Sequence, residues 1–178
     1  MRNRTSPPRI IFKFFIFRSF TFLFLAAAAF AQGQKTLSAT SNCGIALVHQ
    51  AVAIDDGGHH SISLDQRECS FQNPTELSGS RIARYVSSGV DDVQFDQARD
   101  QGYVVGETAN GDKYFLRYEG TAALKDGIPL HLEGTWKFTG GTGRLRGLSG
   151  QGTYRAQPTP SGGMVFKLEG SYQVEGQP

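Results

Sequence analysis

The chain has 178 residues, 39% of them hydrophobic and 11% aromatic, with a formal net charge of +2. Five of its eighteen basic residues (Arg2, Arg4, Arg9, Lys13 and Arg18) fall in positions 1–31, leaving 13 basic against 16 acidic residues, a net −3. That remainder lacks the basic footprint of a nucleic-acid binder, and at about 147 residues it suffices for one domain with its own core.

Residues 1–31 read as a signal peptide. The run from Phe20 to Ala31 is apolar apart from Thr21 and follows the basic residues. It closes with Ala29-Phe30-Ala31, an A-x-A site that predicts cleavage before Gln32. The run is short for a spanning helix of roughly 20 residues. An uncleaved anchor is the alternative, because Ile10 to Phe17 is also apolar except for Lys13. The expectation is therefore an exported protein, periplasmic or secreted, whose single domain spans 32–178 and leaves the membrane after cleavage.

Strands are predicted first over Ile45–Ile54 and Ser61–Leu64, then over Arg81–Phe95 as one or two segments about Gly89. Between them, Asp55-Asp56-Gly57-Gly58-His59-His60 brings histidine and carboxylate together. Neighbouring side chains on a strand point to opposite sides, so a solvent-exposed turn is preferred to a metal site. No metal or other cofactor is expected. Cys43 and Cys69 both lie in the exported part, and their even count favours a disulfide over two buried free thiols. Such a bridge would contribute about 3–4 kcal/mol in the chain-entropy picture.

The C-terminal half is more regular. Asn110-Gly111 predicts a two-residue type I′ hairpin, pairing Tyr103 with Tyr118, Val105 with Leu116 and Glu107 with Tyr114. Lys125-Asp126-Gly127 predicts a three-residue loop, pairing Leu116 with Trp136 and Tyr114 with Phe138. A two-residue loop there would set Arg117 against Trp136 and scramble the faces. Gly140-Gly141-Thr142-Gly143-Arg144-Leu145-Arg146-Gly147 lacks the spacing of a phosphate-binding P-loop, and reads as a compact loop closing one end of a barrel. A third hairpin turns through Pro158 to Gly163 and brings Tyr154 near Phe166.

Even-numbered positions then form one apolar face: Tyr114, Leu116, Tyr118, Leu130, Leu132, Trp136, Phe138, Tyr154, Met164, Phe166, Leu168, Tyr172 and Val174. Arg117, Glu119, His131, Glu133, Lys137, Arg155, Lys167, Glu169 and Gln173 face water. A phrase recurs on these strands: Glu119-Gly120-Thr121, Glu133-Gly134-Thr135, Gln151-Gly152-Thr153 and Glu169-Gly170-Ser171. Its glycines share the inward phase, where strands bend or large rings need space. The fold class is all-β, an antiparallel up-and-down barrel of about eight strands, with a two-sheet sandwich as the alternative.

In this register Glu107 is the one carboxylate on the apolar face of the hairpins. A buried carboxylate titrates high or finds a donor, which makes Glu107 a candidate acid or base. The bland reading is a strand-end residue reaching water at the rim. Tyr103, Glu107, Tyr114, Tyr118 and Trp136 are the candidate ligand-binding residues; core packing explains the same aromatic stripe without a ligand. No nucleophile elbow or triad is specified.

The stretch Asn110-Gly111-Asp112-Lys113-Tyr114-Phe115-Leu116-Arg117-Tyr118-Glu119-Gly120-Thr121, together with Gly134-Thr135-Trp136 and the Gly140–Gly147 loop, resembles bacterial exported proteins with an allene oxide cyclase-like barrel. The Gly140–Gly143 turn is also similar to that of plant dirigent proteins. The resemblance covers residues 101–176 and implies an eight-stranded antiparallel barrel. In the plant cyclases the barrel steers ring closure of a fatty-acid epoxide, and dirigent proteins position phenoxy radicals. The matching residues here are turns and core, so the resemblance implies fold and no activity. Three functions stay open: an exported barrel holding a small, mostly apolar molecule; an isomerase or cyclase; and an interaction module whose barrel is filled by its own side chains.

Overall fold

The computed structural model describes residues 33–175 and contains ten strands, which in the C-terminal half follow the period-two alternation of apolar and polar residues. The expected signal peptide lies outside the described residues. The strands are β1 (Lys35–Cys43), β2 (Val48–Ala53), β3 (His60–Phe71), β4 (Glu76–Leu77), β5 (Ser80–Gln94), β6 (Gln97–Thr108), β7 (Lys113–Lys125), β8 (Ile128–Gly141), β9 (Leu148–Pro158) and β10 (Met164–Val174). All pairings are antiparallel. β5 to β10 run as a meander, β10 pairs with β1, β1 with β3, and β3 with β5. Eight strands thus close into a barrel, which replaces the sandwich alternative. β2 lies along β3 and β4 along the start of β5, both outside the ring.

The seam of the barrel is narrow. β1 meets β3 only at Ser41↔Phe71, Asn42↔Ser70 and Cys43↔Cys69. A disulfide joins Cys43 to Cys69 there, across directly opposed residues 4.0 Å apart at Cα. It closes the ring covalently where the hydrogen-bond ladder is shortest.

The lumen is filled by rings seated on glycines. A Cβ at Gly106 would collide with the Tyr114 ring, one at Gly89 or Gly102 with Tyr118, one at Gly120 or Gly134 with Tyr154, and one at Gly152 or Gly170 with Trp136. The repeated glycines are therefore the sockets of Tyr154 and Trp136. The rings meet edge to face, Tyr118 with Tyr154 at 6.1 Å and Trp136 with Phe138 at 5.1 Å between centroids. Such pairs add about 0.5–1.5 kcal/mol each beyond area burial. At one end, Leu77 and Leu145 are fully buried and plug the barrel. Leu145 belongs to the 3₁₀ turn Gly143–Leu145 of the glycine-rich loop, and Tyr172 holds the β4 loop by accepting from Ser78 N.

Two hairpin registers differ from expectation. Thr108 N donates to Asp112 O at 2.9 Å and Gly111 N to Thr108 O, so the first loop is Ala109-Asn110-Gly111. Ala109 N is drawn out of the turn by Arg81 O, and only Gly111 takes positive φ. The pairs become Gly106↔Tyr114 and Glu107↔Lys113, one residue from the predicted set. The second loop is the two-residue Asp126-Gly127, with both φ values positive. A bulge between Ala123 and Leu124 then restores the faces, setting Tyr118 against Trp136 and Arg117 against Lys137. Leu130, beside that bulge, is exposed, whereas the other members of the predicted apolar face point inward. In the third hairpin Phe166 pairs with Ala156, and its ring lies 6.0 Å from that of Tyr154.

Two outcomes test this packing. Gly106→Ala should destabilise the protein by about 1–3 kcal/mol, the usual range for overpacking, and Tyr114→Leu in the same chain should recover part of that loss in denaturant unfolding. Reduction of Cys43–Cys69, which closes a separation of 26 residues, should lower stability by about 3–4 kcal/mol in the same assay.

Candidate functional site

At the end opposite the plug, the inward positions are polar. A bulge between Ile82 and Arg84 changes the phase of β5, so Tyr85, Ser87, Gly89, Asp91 and Val93 face inward. Asp91 then lies directly opposite Asp100 of β6. On the other side β5 pairs with β3, where Ser63 opposes Asp91 and Asp65 opposes Gly89. Three carboxylates, Asp65, Asp91 and Asp100, so converge at the mouth.

Their contacts form a chain. His49 Nδ1 lies 3.0 Å from Asp65 Oδ1, and Ser63 Oγ donates to Asp91 Oδ2 at 3.4 Å. Tyr154 Oη donates to Asp100 Oδ2 at 3.3 Å, and Ser87 Oγ donates to Tyr118 Oη at 3.3 Å. Arg67 Nη2 stands 3.7 Å from Asp65 Oδ1, while its Nη1 donates to the carbonyls of Gly44 and Gly162. The guanidinium thus serves two loops as well as the acids.

Asp100 is only 9% exposed. Burial first, and the Asp91 charge second, push its carboxyl up to about 7, against a small lowering by the Tyr154 hydroxyl. Burial likewise raises Asp91, to about 6, reinforced by the Asp65 charge and their shared hydrogen bond. Burial and the nearby Asp100 raise the Tyr118 and Tyr154 hydroxyls, so both stay neutral donors. Near pH 7 the Asp100 carboxyl is thus poised between its protonated and ionised forms, and Asp91 reaches the same balance near pH 6.

Two small cavities meet here. One, of about 120 Å³, is lined by Asp65, Asp91, Asp100 and Tyr118. A deeper apolar one, of about 60 Å³, lies among Tyr85, Tyr114, Trp136 and Phe138. Cys43, Ser87, Tyr118 and Phe166 line both. A wider hollow, about 1060 Å³, is instead an outer trough of mixed charge between Arg99, Glu119, Thr135 and Arg155. Asp100 and Tyr154 border that trough as well.

Of the residues singled out by sequence, Tyr114, Tyr118 and Trp136 line the lumen. Tyr103 is 62% exposed on the outer face, and Glu107, paired with Lys113, also faces outward. The one-residue register difference moves both out of the barrel. Asp55 Oδ1 accepts from His59 N and His60 N, which makes its segment a capped surface turn, and those bonds lower its carboxyl pKa.

No family model matches the chain, and no curated protein does. Among solved structures the chain is similar to a pterocarpan synthase dirigent protein, with 11% identity and a TM-score of 0.47 over 89% of this chain and 98% of that one.

The raised carboxyls set a sign for stability. A carboxyl with a folded pKa above its ordinary value leaves the folded state holding more protons, so stability present below pH 4 is lost as pH rises through the folded value. For Asp100, moving from 3.8 to about 7, the loss is on the order of 4 kcal/mol. Thermal unfolding should therefore show lower stability at pH 8 than at pH 5, and Asp100→Asn should flatten that profile and stabilise the protein at pH 8.

Proposed function

We propose that the protein is an exported barrel that holds a small, mostly apolar molecule at its mouth, with an oxygen of that molecule accepting a hydrogen bond from the Asp91–Asp100 pair. The observation carrying this reading is Asp100 itself. A barrel filled only for stability gains nothing from a buried carboxyl beside a second one, since apolar residues of similar size would cost less. The edge-to-face rings give flat apolar walls, and the free space is of the scale that takes a single ring, as engineered apolar cavities of about 150 Å³ do. Export is supported by the leader-like N-terminus and by the disulfide. Among the described residues no helix is long and apolar enough to cross a membrane.

The same carboxyls support a second reading as an acid catalyst of isomerisation or cyclisation. A proton donor with a pKa near the working pH is the group such chemistry uses. Asp100 would protonate a substrate oxygen, and Tyr154 would hold the resulting carboxylate by its hydroxyl.

Trp136, the single tryptophan, reports on the lumen. Its fluorescence should respond saturably to cyclohexanone at pH 6, with at least about tenfold weaker binding for cyclohexane, which lacks the acceptor. That preference should disappear at pH 8 and in Asp100→Ala. No saturable response to either compound would leave the filled, non-binding barrel as the correct reading, and equal binding of both at pH 6 would show a cavity in which the carboxyl makes no contact with the ligand.

A further inference from the structure

β2 ends the sheet. It bonds to β3 on one side, and its other edge carries no strand among the described residues. Ile54 N donates to His60 O at 2.8 Å. By the alternation of antiparallel ladders, residues 50 and 52 direct their backbone groups toward β3, and His49, Ala51 and Ala53 direct theirs outward. All of β2 is exposed.

Open edges are usually blunted by lysine, proline, a bulge or a covering loop. β2, Val48-His49-Gln50-Ala51-Val52-Ala53, has none of the first three. Its outer face is also apolar: Val52 lies opposite Ile62, and Leu64 follows on the same face opposite Gln50. Val52 is 62% exposed and Leu64 43%. An uncharged strand edge beside an uncovered apolar stripe is a template for another strand.

We infer that β2 pairs antiparallel with β2 of a second copy of this chain, about a two-fold axis at Ala51. The sequence is self-complementary in that register. Ala51 meets its own counterpart and His49 meets Ala53, so small side chains occupy one face. On the other face Val48 meets Ile54 and Gln50 meets Val52, which joins the Ile62–Leu64 stripes of both copies into one apolar surface. Every outward N–H and C=O of His49, Ala51 and Ala53 finds a partner. Without a formal charge on the strand there is no like-charge repulsion when it faces itself. An isologous interface requires such self-complementarity.

Sedimentation equilibrium of the full chain, purified from its producing host, should show a mass rising to twice the monomer with concentration. Ala51→Pro removes an outward N–H and leaves the β3 bonds intact, as edge prolines do. It should abolish the dimer with an unchanged circular dichroism spectrum. Val52→Lys, which places a charge against the partner, should do the same without a backbone change. Hydrogen exchange should protect the Ala51 and Ala53 amides in the wild-type dimer only. A wild-type monomer at all concentrations, or an assembly of any size that both variants leave intact, would overturn the inference.

Discussion

Four large rings, Tyr114, Tyr118, Trp136 and Tyr154, occupy the bore of the barrel, and each stands where facing strands supply glycine in place of a side chain. That steric match is the constraint on which the rest depends. Interiors are packed to crystal-like density, so a methyl group at Gly134 or Gly152 would displace a ring. The displaced ring would find little space, since the apolar cavity beside these rings holds only about 60 Å³. The rings fix the spacing of the strands, the disulfide secures the short seam, and Leu77 and Leu145 seal one end.

With the centre filled by rings, little free space survives: a small apolar cavity among them and, at their margin, the cavity lined by the acids. Low dielectric surroundings penalise the charged carboxylate, and a second carboxylate across the strand pair raises the penalty. Arg67 offsets only part of this, because it is shared with the carbonyls of Gly44 and Gly162. Protonation is the cheaper solution. The aromatic packing that stabilises the fold thus also creates the environment that raises the Asp91 and Asp100 carboxyls above the ordinary aspartate range.

The strand faces of the C-terminal half were legible because alternation is a strict period, and twelve of thirteen predicted inward residues do face in. The glycine phrase was legible too, as space for large rings. What escaped was register, which depends on single residues that alternation does not mark. Ala109 bonding to Arg81 lengthened one loop, and the bulge at Ala123 compensated for a shorter one. The first slip moved Glu107 outward. It equally hid Asp100, which shares the phase of Val104 and Thr108. Asp91 was hidden by the bulge after Ile82. β1 went unseen because its inward residues beyond Leu37 are small or polar, Ala39, Ser41 and Cys43, which gives little hydrophobic alternation. A carboxylate in phase with apolar neighbours on a correctly registered strand was the signal that could have found the site.

Carbon-detected NMR titration of the aspartate side chains reads directly whether the barrel mouth raises its carboxyls toward neutral pH. The interacting pair should titrate with apparent values near 6 and 7, and replacing Asp91 by Asn should lower the value of Asp100. If both carboxyls titrate at ordinary aspartate values, near 3.8, the mouth is open to water and Asp100 is no proton donor to a bound oxygen.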